Sequence, residues 1–403
     1  MIKLLISKMI EKHNGYEKFD FSYLEPARCR KSNNKNMRLN LFIPNVDKKK
    51  MFGGQTTALD FFMQLGKSLE CDLRILSERE VNEEIVKQYD GYEMTNIEQE
   101  IEKNSICAFG IEERKKNRLS VREKDYFIAT YWTTKYVLNN VAEFQKETFG
   151  KATDIIYLIQ DFEPGFYRWS SEYLLIDSTY RTDNTIAVFN SSNLQNFFMR
   201  MDYKFSDMYC FEPCLNSNLR EYLEKDVIVE RKKKILVYGR PYVGRNCFSL
   251  LINALNQFIE DYEFSNEWEF VSAGADFKDV KLKKGKRLVS VGKLTLDEYA
   301  ELLSECSVGV SLMCSPHPSY PPLEMAAFGM KTVTNTFQDK DLAAFSDNII
   351  SVSDVSFKGI GKAIIQAVEK CPEGFINMRN SAYVKGNAGY SIIVDQIKSK
   401  LMR

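Results

Sequence analysis

The stretch KILVYGRPYVGRNCFSLLINALNQFIEDY (234–262) decides the fold class. Its first six residues are an apolar run of strand length, and residues 247–262 carry apolar side chains at helical spacing. The loop between them holds Arg240 and Arg245 among glycines. Strand, loop and amphipathic helix form the repeating unit of an α/β protein. The unit recurs toward the C-terminus. EWEFVSAG (267–274), RLVSVG (287–292), VGVSLM (308–313) and KTVTN (331–335) read as strands. TLDEYAELLSEC (295–306) reads as a helix opened by Thr295 and Glu298 at capping-box spacing, and PLEMAAFG (322–329) as a helix closed by Gly329.

The first half alternates in the same way. RLNLFIP (38–44), DLRIL (72–76), DYFIAT (125–130), DIIYLI (154–159) and TIAVF (185–189) read as strands. A Gly53-Gly54 loop and helices over 57–69, 131–144, 170–182 and 192–200 connect them. This predicts parallel sheets with helices on both faces. The charge run EKDVIVERKKK (224–234) separates the halves. The expected layout is an N-terminal arm over 1–36, with the basic, Asn-rich stretch 27–38 as a linker. A first Rossmann-like domain follows over 37–225 and a second over 226–403, the last helix packing back on the first.

Composition narrows the class. A chain of 403 residues with 44% hydrophobic content fits two soluble domains. Lys+Arg and Asp+Glu are both 55, which argues against a nucleic-acid partner held by bulk positive charge. Nine Cys without a CxxC, and only His13 and His317, make a structural zinc site improbable and suit a reducing compartment. MIKLLISKMI (1–10) is interrupted by Lys3, Ser7 and Lys8 and reads as a poor signal peptide; no run of about 20 apolar residues follows. The expectation is a cytoplasmic protein, at most peripheral to the inner face of a membrane.

Ligands of such sheets sit at the carboxyl ends of strands. Arg240, Arg245 and Lys293 follow strand ends and suit a diphosphate, although any one cation alone is commonly a solvated loop residue. The loop 314–329 has four prolines between 316 and 322, then Glu324 in the first turn of a helix. That carboxylate can face a ligand hydroxyl or merely complement the helix dipole. His317, Ser319 and Tyr320 would line the same pocket. In the first half, Gly53, Gly54, Tyr131, Trp132, Asp161 and Glu163 follow strands. They would provide close backbone approach, aromatic faces and hydroxyl acceptors, with core aromatics and loop acids as the plain alternative.

GRPYVGRN (239–246), VGKLTLDEYAELLSECSVGVSLM (291–313) and SPHPSYPPLEMAAFGMKTVTN (315–335) resemble glycosyltransferase family 4 of the GT-B fold. More narrowly they resemble the WsaF-type rhamnosyltransferases, with QDFEPGFY (160–167) and ATYWTT (129–134) as matching segments. The resemblance implies two domains facing a cleft and metal-independent, retaining transfer. The donor would be a nucleotide-diphospho-sugar such as dTDP-rhamnose, and the acceptor a surface glycan or lipid-linked glycan. No cofactor is implied. By position, Arg240 and Lys293 would hold the diphosphate, with Arg245, Ser319 and Tyr320 also on the donor side. Glu324 matches the second Glu of the E-x7-E motif; Pro316 stands in place of the first, leaving His317 or backbone groups to take its part. Asp161, Glu163 and His317 are the candidate catalytic groups, and Gly53, Gly54, Tyr131 and Trp132 the acceptor side.

Two other classes compete. A nicotinamide dehydrogenase needs G-x-G-x-x-G after its first strand, and neither GGQTTA nor GRPYVGRN provides it. A GT-B-shaped protein that binds without catalysis would explain the missing first Glu. Asp161-x-Glu163 and Asp339-x-Asp341 resemble a metal-binding DxD, but 55 acids in 403 residues produce such triplets by chance, so no metal is expected.

Overall fold

The computed structural model describes residues 20–402, apart from 52, 103, 226–229, 372–377 and 387–388. The MIKLLISKMI stretch, residues 1–19 of the arm and part of the charge run lie outside the described residues. The chain forms two compact units, residues 1–158 with 184–186 and residues 159–183 with 187–403.

The strands in chain order are β1 (Cys29–Lys31), β2 (Arg38–Ile43), β3 (Asp72–Ser77), β4 (Tyr92–Met94), β5 (Asn104–Ala108), β6 (Leu119–Val121), β7 (Asp125–Ala129), β8 (Ile155–Ile159), β9 (Thr185–Phe189) and β10 (Asp207–Cys210). Then come β11 (Lys232–Gly239), β12 (Glu269–Gly274), β13 (Val280–Lys281), β14 (Arg287–Gly292), β15 (Cys306–Val310), β16 (Lys331–Asn335) and β17 (Ile349–Val352). One sheet runs β10-β9-β8-β7-β2-β3-β5-β4 and the other β13-β14-β12-β11-β15-β16-β17. In the first, β2 pairs in parallel with β3 and β7, as β5 does with β3 and β4, and β7 with β8. In the second, all pairings are parallel except that of β13 with β14. Every residue of β2, β15 and β16 is buried, as expected of strands covered on both faces.

The predicted α/β class and its long elements are present. The helix Phe248–Asp261 buries Leu251, Ala254, Leu255, Phe258 and Ile259 against Ile235 and Val237 of β11. The capping box forms: Glu298 N–H donates to Thr295 Oγ1 at 3.3 Å and Thr295 N–H to Glu298 Oε2 at 2.8 Å. Other expectations need correction. Gly53 and Gly54 open the helix Gly53–Leu69 and are not a loop. The 27–38 stretch contains β1, in parallel register with β6. Its Arg30 and Lys31 disguise a strand whose pairing depends on the backbone. β15 ends at Val310, so residues 311–313 already belong to the loop.

β11 has β12 on one side and β15 on the other, so the strand order reverses there. The crevice outside the carboxyl ends at such a reversal is where open α/β sheets take ligands. Arg240 and the 311–320 loop follow these two neighbouring strands.

The first unit places charge at the other end of its strands. Arg38 opens β2 and Asp125 opens β7, in direct register. Arg38 Nε and Nη2 each donate to an Asp125 oxygen at 2.7 Å. Asn40 Nδ2 donates to Asp125 Oδ1 at 3.0 Å, and Arg74 Nε to Asn40 Oδ1 at 2.7 Å. Arg122 pairs with Asp72 and with Glu100 Oε2. Burial pulls the Arg74 guanidinium down to about 10, so it stays charged at neutral pH. A network of this kind holds only while its charges remain matched.

Candidate active site

The loop after β15 is fixed at its root. Met313 N–H donates to Asn335 Oδ1 at 2.7 Å, and the Met313 carbonyl accepts from Asn335 Nδ2 at 3.1 Å and from buried Lys340 Nζ at 2.6 Å. Cys314 N–H donates to the Arg245 carbonyl at 2.7 Å. Ser315 Oγ donates to Asp161 Oδ1 and accepts from His317 N–H at 3.0 Å. Asp161 Oδ1 also accepts from Phe162 N–H at 2.8 Å, while Oδ2 lies 3.5 Å from Arg245 Nε. The Arg245 guanidinium rests 4.2 Å from the centroid of the Phe166 ring. Asp161, Arg245, Ser315 and His317 are thus one assembly, with Asp161 as its anchor.

His317 is buried, and burial pushes its imidazole down to about 4, against the pull of Asp161. The ring is therefore neutral at physiological pH. Ser319, held at φ +69°, points its N–H at His317 Nδ1 at 3.0 Å. An accepting Nδ1 puts the proton on Nε2. That N–H is buried and has no partner among the described residues. The His317 and Tyr320 rings lie 5.5 Å apart.

Glu324 sits in the first turn of the helix Pro321–Ala327. Its Oε2 accepts from Tyr299 OH at 3.1 Å, yet burial raises the carboxyl to about 7. Arg240 is half-buried, and its guanidinium has no hydrogen bond or ion pair among the described residues. Lys293 is exposed directly after Gly292, whose φ is +70° and where a Cβ would stand 2.0 Å from Asp276 Oδ1. An apolar cavity of about 740 Å³ reaches Pro318 and Leu323, but Arg240, Lys293, His317 and Glu324 do not line it.

The remaining candidates have other contacts. Glu163 is buried and accepts from Tyr180 OH at 3.1 Å. In the first unit, Trp132 is 1% exposed with its ring edge-on to Tyr23, so it is a core aromatic. Tyr131 caps the helix Trp132–Phe149, where Thr134 Oγ1 accepts from Thr130 N–H at 2.9 Å and from Tyr131 N–H at 3.1 Å. Asp339 pairs with Arg200 at 2.9 Å, and Asp341 accepts from Ala343 N–H at 3.0 Å, so this triplet is a capped turn. Among the described residues, no group of three His, Cys, Asp or Glu is arranged to hold a metal ion. Sequence reasoning missed Ser315 and Lys340. Lys340 stands in an ordinary polar turn, NTFQDKD (335–341), and nothing in its spacing marks it as buried.

Comparison with known proteins matches these features to a lineage. The model described as "WsaF, N-terminal domain" matches residues 38–192, and "WsaF, C-terminal domain" matches 233–365. The O-antigen biosynthesis protein RfbC of Myxococcus xanthus is 29% identical over 212 residues, covering 52% of this chain and 15% of that protein. Among solved structures, HepE of Anabaena in complex with UDP-glucose superposes with a TM-score of 0.58 at 11% identity, over 91% of this chain and 99% of that one. Sucrose-phosphate synthase of Thermosynechococcus elongatus gives 0.57 at 12% identity, over 91% and 98%. At these identities the structures speak for the fold alone. No described helix is long and apolar enough to cross a membrane. The chain has the GT-B fold and belongs to the WsaF family.

Proposed function

We propose that this protein is a glycosyltransferase of polysaccharide biosynthesis. It moves a sugar, rhamnose in the closest reading of the family resemblance, from a nucleotide-diphosphate donor to a glycan or lipid-linked glycan. One observation carries the reading: Arg240 is half-buried at the carboxyl end of β11 where the strand order reverses, and its guanidinium has no hydrogen bond or ion pair among the described residues. A guanidinium kept from its counter-charge at that point suits a ligand's phosphate oxygens. The kinship with an O-antigen protein and the UDP-glucose complex of a fold neighbour support the same ligand class.

In this reading Arg240 and Lys293 hold the diphosphate, and Glu324 accepts a ribose hydroxyl. The His317 Nε2–H donates to the transferred sugar, taking the part of the absent first Glu. Asp161 has both oxygens engaged and His317 has Nδ1 engaged, so both position rather than abstract protons. The donor's own phosphate oxygen then takes the acceptor proton, with retention at the anomeric carbon. The cations neutralise the leaving diphosphate, so no divalent ion is required. Calorimetric titration with dTDP, UDP and GDP in chelator tests the site: one diphosphate should bind, and Arg240→Ala should weaken it at least ten-fold. Failure of all three to bind the native chain would overturn the reading. Turnover of the matching sugar nucleotide separates an enzyme from a binding protein.

A further inference from the structure

The segment that follows the Asp161 anchor carries a feature the donor site does not use. Trp169 is 90% exposed, and Leu174 beside it is 70% exposed. The Trp169 ring is stacked on Tyr173 at 5.1 Å with an 11° interplanar angle. Ser170 Oγ caps the helix Ser171–Thr179 by accepting from Tyr173 N–H at 3.3 Å, so the ring pair is built on a fixed helix start. Contact with Tyr173 buries only a tenth of the tryptophan, far too little to explain it as packing. One ring face remains open.

A second, independent observation lies in the same turn. Glu172 is 8% exposed, and its carboxylate makes no hydrogen bond or ion pair among the described residues. A buried carboxylate without a donor costs free energy unless a ligand supplies one. The same segment is continuous with the candidate site, since Phe166, three residues before Trp169, lies against Arg245.

We propose that Trp169, stacked on Tyr173, is the platform for a pyranose ring of the acceptor glycan, and that Glu172 accepts its hydroxyl protons. This rests on the transferase reading and adds the acceptor to it. A flat aromatic face packs on the C–H surface of a sugar, and a carboxylate three residues along the same helix start is the kind of acceptor its hydroxyls need. A lipid surface fits less well, because an unpaired carboxylate would have to enter the headgroup region.

The molecule contains its own reporter. Its other tryptophans, Trp132 and Trp268, are 1% and 5% exposed, so iodide quenching of the full chain reads Trp169. The probes are methyl α-L-rhamnopyranoside, methyl α-D-glucopyranoside and a delipidated O-antigen oligosaccharide. At least one should reduce quenching two-fold or more. Saturation-transfer NMR should then show binding about three- to ten-fold weaker in Trp169→Ala, retained in Trp169→Phe, and about ten-fold weaker in Glu172→Gln. Nucleoside diphosphate binding should be unchanged in all three variants, which keeps failure here separate from failure of the donor site. If no sugar shields Trp169 or binds the native chain, the proposal is overturned. Shielding by phosphatidylglycerol vesicles but by no sugar would overturn it in favour of a membrane-facing patch.

Discussion

Arg38 in the first unit and Arg240 in the second each adjoin the end of a central parallel strand, and there the likeness stops. Arg38 is the first residue of β2 and meets both oxygens of Asp125 at 2.7 Å. Arg240 follows β11, and its guanidinium makes no hydrogen bond or ion pair among the described residues. The first is a charge consumed by the fold. The second is a charge the fold keeps available. Local sequence does not separate them, since each is an arginine beside an apolar run. What separates them is the end of the strand and the neighbour in register. A buried cation matched within the protein speaks of stability, and an unmatched one of a ligand.

The contrast breaks most easily at Asp125. Asp125→Ala leaves Arg38 and Arg74 buried without their carboxylate and should cost about 3–5 kcal/mol. Urea unfolding should show the loss, and the double change Asp125→Leu with Arg38→Met should recover part of it, since Arg74 stays without its carboxylate. Arg240→Ala should do the reverse. Its unfolding free energy should stay within about 0.5 kcal/mol of the native chain, while affinity for the nucleoside diphosphate falls about ten- to a hundred-fold. If Arg240→Ala destabilised the chain as Asp125→Ala does, the distinction would collapse.

A finer division is expected within the site. His317→Ala should weaken the sugar nucleotide by about five-fold, in line with one neutral hydrogen bond, and leave the free nucleoside diphosphate unchanged. Equal losses for both would place the ring away from the sugar. The smallest effect concerns Glu324. Burial raises its carboxyl from 4.5 to about 7, so the folded chain prefers the protonated form. That preference costs nothing below about 4.5; the penalty builds as pH rises from there to about 7 and is constant above it. Glu324→Gln should therefore raise Tm by roughly 2–4 °C near pH 8 and leave it unchanged near pH 4. In the native chain, donor affinity should increase as pH passes through about 7, where the carboxylate forms. A flat pH profile would assign Glu324 to the helix dipole alone.

Much of the second unit was legible because its signals are local. Thr295 and Glu298 sit three apart and form their capping box, and apolar runs mark β11, β12 and β16. The short strands β1, β4 and β6 were not legible, because three residues of backbone pairing leave no period to read. Nothing in the local sequence marks Arg74 and Arg122 as buried, because the carboxylates they meet, Asp125, Asp72 and Glu100, come from distant parts of the chain. The donor-side cluster was recognised from its motif. Which groups inside it are spent and which remain open was not, since Ser315 reaches Asp161 across 154 residues of chain. The sequence points to Trp132 for a sugar and passes over Trp169, yet Trp132 is buried and Trp169 exposed.

The hydrogen bond from Ser319 N–H to His317 Nδ1 has one more consequence. With one nitrogen committed to the backbone and the other carrying the proton, the imidazole has a fixed polarity. It reads lone pairs on its partner and is blind to hydroxyl protons. In the proposed site, a donor sugar whose contacted hydroxyl is replaced by fluorine still presents a lone pair to Nε2–H, whereas the deoxy sugar presents nothing. Selectivity at that carbon therefore follows electron-pair donation rather than size, and fluoro and deoxy analogues, nearly alike in bulk, should part company there.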